Sequence, residues 1–282
     1  MQADNIDRSD RKRAVETIDL LHAYNQKLFE RAYAEILLPA FPEENERESQ
    51  QSIAERLACK PPSPQPLTHA FLSGRDLSKP EQAELLALLI LEVYRRSGLG
   101  LITYLATKPS HQKSGLGKNL MERARTCLKH YDENSCLMAE AHNPQMVQAR
   151  EDILDPNKRL RIFGGLGATI VPIRYVQPSL SMRQKPSRNL LLLAFPLSST
   201  SLTEGRLILF LEEFYQALGV EDPTKNLDFR QMLKDLQSLT REPTGPAGWQ
   251  ALANSCGCGL ARIVRKTENG SIESGLNSHG AQ

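Results

Sequence analysis

The chain has 282 residues. At roughly 150 residues per domain this predicts one large domain or two small ones, long enough to bury a core without staples. Hydrophobic residues make up 40% and charged residues 24%, and 35 Lys+Arg against 33 Asp+Glu leave a net charge of +2. That balance excludes fibrous and wholly disordered classes and gives no reason to expect nucleic acid or an anionic membrane as partner.

The longest apolar runs, around Leu85–Leu91 and Leu190–Phe195, fall far short of a membrane span. The opening Met-Gln-Ala-Asp-Asn-Ile-Asp-Arg lacks the pattern of a secretory leader, so a cytoplasmic protein is expected. Five cysteines are widely spread, and the close pair Cys256-Gly-Cys258 is spaced too tightly for a usual metal pair. Reduced thiols are therefore expected, rather than a zinc site or a disulfide framework.

From Val15 to Leu38, apolar residues at Ile18, Leu21, Leu28, Phe29, Ala32 and Ile36 partly match one helix face. Equally, Val15–Leu21 reads as a short strand, followed by a helix that Asn25 caps and that runs to about Leu37. Pro39 and Pro42 are expected to stop the helix. An acidic run, Glu43 to Glu48, precedes a short helix over Ser49–Leu57, and four prolines between Lys60 and Pro66 mark a loop. His69–Ser73 reads as a short strand. Leu85–Tyr94 and Leu99–Thr107, joined by Arg95-Arg96-Ser97-Gly98, read as a β-hairpin, although Glu81–Leu91 is rich in helix formers.

A glycine loop then opens a helix from Lys118 to about His130, with Leu120, Ala124, Cys127 and Leu128 on one face. Ser135–Ala141 reads as a strand, His142–Asp155 as a loop with a short helix, and Lys158–Phe163 as a helix. Ala168–Tyr175 is strand-like, with Pro172 arguing for an edge or a bulge. Leu190–Phe195 is a buried strand, Thr203–Leu218 a helix ended by Gly219, and Asp228–Leu239 a further helix. Gly, Ser, Asn and Pro cluster from Arg241 onward. The expected organisation is one domain over residues 15–240, with helical additions after Phe195, and a mostly flexible tail over 241–282.

The chemistry-bearing stretch is Tyr104-Leu-Ala-Thr-Lys-Pro-Ser-His-Gln112-Lys-Ser-Gly115-Leu-Gly117-Lys-Asn-Leu-Met121. A strand runs into Gln-x-x-Gly-x-Gly, which opens a helix. Glycines let backbone N–H groups converge, and the helix start adds orphan donors and a positive dipole end. Together they make a nest for phosphate, with Lys113 and Lys118 supplying charge. An ordinary glycine turn at a helix start is the plainer reading. The Walker pattern fails because Asn119 follows Gly117-Lys118, and the dinucleotide fingerprint fails because Leu120 stands where its third glycine belongs.

Leu99 to Leu128 resembles motif A of the GNAT superfamily, the acyl-CoA-dependent N-acetyltransferases. Tyr33–Pro42 more weakly resembles the helix and loop bordering that family's acceptor site, and Arg161-Ile-Phe-Gly-Gly-Leu-Gly167-Ala168 its motif B. The resemblance implies an α/β fold with a mixed, mostly antiparallel central sheet, splayed at the cofactor cleft and flanked by helices. It implies acetyl-CoA as cosubstrate, with its pyrophosphate on Gln112, Lys113, Ser114, Gly115, Leu116, Gly117 and Lys118. Its pantetheine arm would pair with the strand edge at Leu105, Ala106 and Thr107. No metal is implied, and the reaction is direct attack by a primary amine in a ternary complex.

The family often has a tyrosine four residues before the motif B glycine as the acid for the leaving thiolate; here that residue is Phe163. Tyr175 is the substitute chosen, with Tyr131, Tyr104 or water as others, though a buried tyrosine with a satisfied hydroxyl is the bland alternative. Glu140, at the end of its strand, is the candidate base, with Glu92 as runner-up and a solvated or Arg-paired glutamate as the plain reading. Glu43, Glu44, Glu46 and Glu48 read as a solvated face that could draw in a cationic amine. His111 reads first as an exposed loop histidine and second as a contact for a CoA phosphate, with His142 and Asn143 near the acceptor or pantetheine side. The expected partner is an amine-bearing small molecule or protein, with a homodimer open. Rival readings are a non-catalytic acyl-CoA-binding module and an interaction protein whose glycine loop only starts a helix.

Overall fold

A computed structural model describes residues 14–59, 65–148, 153–181, 184–196 and 202–241. Of the tail expected over 241–282, Arg241 belongs to the last helix, and residues 242–282, with the Cys256/Cys258 pair, lie outside the described residues.

The opening apolar segment divides into a strand and a helix. β1 (Glu16–Asp19) comes first, and Asn25 then caps α1 (Gln26–Ala32), accepting the Leu28 N–H at 3.0 Å. Pro39 does not end the helix as expected. The chain passes through a π turn, Tyr33–Leu37, into α2 (Leu38–Ala40), and Pro39 lies within that last turn. A proline ring clashes with the carbonyl four residues back, here that of Glu35, and Glu35 lies in the widened turn. α3 (Gln50–Cys59) follows.

β2 (Leu67–Arg75), β3 (Glu84–Tyr94) and β4 (Leu99–Thr107) form an antiparallel meander. β3 is a strand throughout, despite the helix formers near its start. It is buried on both faces, which explains its unbroken apolar run and overrides local propensity.

α4 (Leu116–Lys129) leads into β5 (Cys136–His142), then α5 (Pro156–Gly165). The strand expected over Ala168–Tyr175 shrinks to β6 (Thr169–Ile170). Val171 N–H still bonds Leu192 at 2.9 Å, but Pro172 has no N–H and the chain leaves the sheet. Tyr175 therefore stands in an irregular segment and not at the end of a strand. β7 (Leu190–Pro196), α6 (Glu204–Ala217) and α7 (Leu227–Arg241) complete the described chain.

The seven strands form one sheet in the order β1-β2-β3-β4-β5-β7-β6. Each neighbouring pair is antiparallel except β4–β5, which is parallel. This is the mixed, mostly antiparallel, helix-flanked sheet that the resemblance implies.

α4 and α5 cover one face through a continuous apolar layer that includes Leu120, Ala124, Leu160, Leu137 and Leu193. The other face is covered in two separate pieces. α1 to α3 pack over β1–β4 through Phe29, Ile53 and Leu88, whereas α6 and α7 pack over the far strands through Phe210, Phe229 and Met138. A seam is left between them. Among the described residues, no helix is long and apolar enough to cross a membrane, and Cys59, Cys127 and Cys136 are free thiols.

Candidate active site

The site begins with one extra residue. Along β3–β4 the register passes from Leu91↔Ile102 to Ile90↔Tyr104, so Thr103 has no partner of its own. Such a bulge bends its strand and increases its twist. The parallel pairing of β4 with β5 ends at the same level, with Ile102↔Ala139. Beyond it, β4 continues through Tyr104–Thr107 against β3 alone, while β5 continues through Glu140–His142 against β7 alone. The sheet is therefore split, and Leu105, Ala106 and Thr107 line the β4 edge of the split.

β4 runs on into the glycine loop. Lys113 and Gly115 both have positive φ, +64° and +87°, and Gly115 is the N-cap of α4. No side chain caps this helix, and no acidic residue sits in its first turn. Its leading N–H groups are left for solvent or an anion. Lys113 and Lys118 are exposed beside them.

Gly117 is informative because its φ is ordinary. A Cβ there would find only Thr107 Oγ1, at 4.0 Å, and one at Gly115 would find nothing within 4 Å. Among the described residues nothing requires a glycine at 117. An open cradle with uncapped amides and two lysines fits the pyrophosphate of a coenzyme A ester. Of the other loop residues, Gln112 is exposed and Ser114 Oγ bonds the His111 carbonyl at 2.6 Å. His111 turns toward Ser110, at 2.9 Å, and Glu84, at 3.7 Å.

On the opposite face, the seam holds a cavity of about 70 Å³, lined by Glu46, Glu48, Arg56, Glu92, Tyr104 and Glu140 among others. Thr103, Tyr104 and Glu140 also line it, and these are the first residues past the last β4–β5 rung. The pocket thus meets the split in the sheet from the face opposite α4.

Glu140 is anchored on both oxygens. The Tyr175 hydroxyl donates to Oε1 at 2.5 Å and the Gln177 amide to Oε2 at 2.8 Å. Burial pushes its pKa up to about 7; the two donors oppose that rise, and the charge of nearby Glu92 adds to it. Tyr175 is 3% exposed, and burial together with Glu140 holds its pKa well above the usual tyrosine value. Its proton is committed to Glu140.

Glu92, 6% exposed, is fully engaged. Arg56 donates to it at 3.1 Å and the Tyr94 hydroxyl at 2.7 Å. Burial raises its pKa against the pull of Arg56. Arg56 also grips Glu48 with two bonds, 2.7 and 2.8 Å, and its own pKa rises between these carboxylates despite burial. Tyr104 accepts the Glu48 N–H at 2.8 Å. Its own hydroxyl proton has no acceptor among the described residues. Burial, then the charge of Glu48, raises its pKa well above the usual value.

The acidic run is thus divided. Glu46 and Glu48 line the pocket, with Glu46 3.3 Å from His142 Nε2, whereas the Glu43 and Glu44 side chains are exposed. Asn143 caps the turn after β5, accepting the Gln145 N–H at 3.0 Å. Phe163 packs edge-on against Phe195 in the α4 face. Tyr131 lies past the far end of α4, bonded to His69.

Solved structures similar to this chain include GNAT-family acetyltransferases. One from Bacteroides thetaiotaomicron is 16% identical, over 71% of this chain and 98% of that one, with a TM-score of 0.48. One from Desulfovibrio desulfuricans is 14% identical, over 66% and 100%, at 0.44. The ribosomal-protein-S18-alanine N-acetyltransferase of Escherichia coli is 15% identical, over 66% and 95%, at 0.40. No family model and no curated protein matches the sequence. The fold is GNAT-like. That rests on the strand order, the single parallel junction and the split beyond it; these scores, each below one half, add nothing to it.

Three groups in the site were not singled out by the sequence reading: Arg56, Gln177 and the bulged Thr103. Arg56 carried a faint signal, a guanidinium on a short helix directly after an acidic run. Gln177 and Thr103 carried none.

Proposed function

We propose that the protein transfers an acetyl group from acetyl-CoA to a primary amine in a ternary complex. The observation that carries this reading is the meeting of two features at one split in the sheet. An uncapped glycine cradle lies on the α4 face, and a carboxylate-lined pocket with Glu140 at its edge lies on the other.

Acetyl-CoA, when bound, supplies a thioester activated for attack by nitrogen. The amides from Gln112 to Lys118 and the two lysines hold its pyrophosphate, and the free edge at Leu105–Thr107 pairs with its amide-bearing arm. Four lining carboxylates, Glu46, Glu48, Glu92 and Glu140, against the one guanidinium of Arg56 favour a cationic acceptor. Glu140, ionised near neutral pH, takes the proton from the ammonium so that the amine can attack the carbonyl carbon. As the C–N bond forms and the C–S bond breaks, the sulfur needs a proton. Tyr104 is the better donor, because its hydroxyl proton is uncommitted; that of Tyr175 serves to hold Glu140.

Acetyl-CoA is expected to raise the melting temperature by ligand linkage, and an amine panel is expected to stimulate thiol release. No thermal shift at saturating cofactor refutes the reading. Binding without turnover against any amine would favour the non-catalytic acyl-CoA module, for which Phe163 at the usual acid position already speaks. The protein is expected to act in the cytoplasm, on a small molecule or a protein terminus or lysine.

A further inference from the structure

Beyond the end of α4 opposite the glycine loop, three side chains converge: Asp19 at the end of β1, His22 in the turn after it, and His69 on β2. Asp19 Oδ2 lies 2.6 Å from His69 Nδ1 and 3.7 Å from His22 Nε2. One ligand atom from each of the three residues falls within 4.8 Å of those of the other two. The remaining polar atoms of two of these residues are already held. Asp19 Oδ1 accepts the Leu21 N–H at 3.0 Å, and His69 Nε2 bonds the Tyr131 hydroxyl at 2.9 Å. Outer contacts of this kind orient metal ligands and fix the histidine tautomer.

Access is graded. The His69 side chain is 1% exposed, Asp19 15% and His22 67%, so the cluster is walled on one side and open at His22. Cys127 Sγ lies 3.6 and 3.5 Å from the two ring nitrogens of His69. Its sulfur is outside the group of ligand atoms that lie within 4.8 Å of one another, so it is not a ligand in this arrangement. The cluster is separate from the acyl-transfer pocket. His69 points toward α4, whereas its neighbour Thr68 points to the other face, where it meets Arg56 at 3.2 Å.

Two imidazole nitrogens and one carboxylate oxygen, with a fourth position open to water, are a donor set suited to zinc. We propose that Asp19, His22 and His69 bind one divalent transition-metal ion of zinc's class. Ligation replaces the Asp19–His69 hydrogen bond. Nδ1 gives its lone pair to the ion, and the ring proton sits on Nε2, donating to the Tyr131 oxygen. Metal bonds of about 2.0 Å in tetrahedral array separate ligand atoms by roughly 3.3 Å, so Oδ2 and Nδ1 part by roughly half an ångström or more. The ion clips the four-residue β1, which among the described residues pairs only with β2, to the strand beside it.

The test is calorimetric titration of zinc chloride into metal-stripped full-length protein, with cobalt(II) as the optical probe. The expected result is one equivalent bound, visible bands of four-coordinate cobalt, and no displacement by a hundredfold excess of magnesium, which prefers oxygen ligands. His22→Ala alters an exposed side chain and should keep the fold by circular dichroism. It should weaken zinc binding at least about 10-fold, the loss usual even for outer partners of a metal ligand. Asp19→Asn should do the same. Wild-type protein that binds no zinc, or both variants binding as tightly as wild type, overturns the proposal, as does displacement by magnesium.

Discussion

Glu140 combines strong burial with two donors that favour its charged form, and the outcome is a carboxyl that titrates close to neutrality. As a base it must be ionised, so the rate is expected to fall as pH drops through about 7. Glu140→Gln should lower kcat by about 10²–10⁴-fold while acetyl-CoA affinity stays within about twofold; an unchanged pH–rate profile would remove Glu140 from the mechanism. Stability follows with a definite sign. The folded chain holds this proton more tightly than the unfolded chain does. Glu140 therefore lends stability at low pH that is lost as pH rises from about 4.5 to about 7. The glutamine variant should lack that decline, and its melting temperature should gain on wild type across this window. Tyr175→Phe removes a donor that lowers the Glu140 pKa. It should move the acid limb of the profile upward while leaving the high-pH rate largely intact; a lost rate with an unmoved limb would make Tyr175 an acid instead.

At the scale of elements, α4 offers a test in which stability and binding move in opposite directions. Gly117 stands in the first helical turn with ordinary φ and open space around it. A glutamate there is a better helix former than glycine, by about 0.5–1 kcal/mol, and suits the positive end of the helix. Gly117→Glu should keep or raise the melting temperature yet weaken acetyl-CoA binding at least about 100-fold. Retained binding would mean that the loop cradles nothing. This loop was legible in the sequence because a glycine just ahead of a helix start marks a left-handed turn, which Gly115 adopts; Gly117, with its ordinary φ, reports open space instead. β3 was ambiguous because a strand buried on both faces shows no period, and its first half is composed like a helix. The π turn at Tyr33–Leu37 left no trace, since the residue pattern of a widened turn does not differ from that of its neighbours. Pro172 was noticed, but how far it would shorten β6 depended on where β7 lay. Glu140 was expected at a strand end, but β5 runs on to His142 through its pairing with β7 and leaves Glu140 inside the strand; its link to Gln177, 37 residues away, left no mark in the sequence.

In the molecule as a whole, the uneven cover of the sheet decides where polar chemistry can survive. One face carries a continuous apolar layer, and the other is roofed in two pieces with the charged seam between them. Arg56 ties that seam, touching Glu48 before α3, Thr68 on β2 and Glu92 on β3. Arg56→Leu should cost about 3–5 kcal/mol in urea unfolding, because it strands buried carboxylates. The double change Arg56→Leu with Glu92→Leu should recover part of the loss. Failure to recover any would show that Glu48, and not Glu92, carries the penalty.

The bulge at Thr103 sets a different kind of limit. The extra residue falls at the level where the β4–β5 pairing stops. A bulge is a matter of residue count and not of side-chain identity. Substitution along β4 therefore alters what fits the gap, whereas deletion of Thr103 is the change expected to draw its edges together.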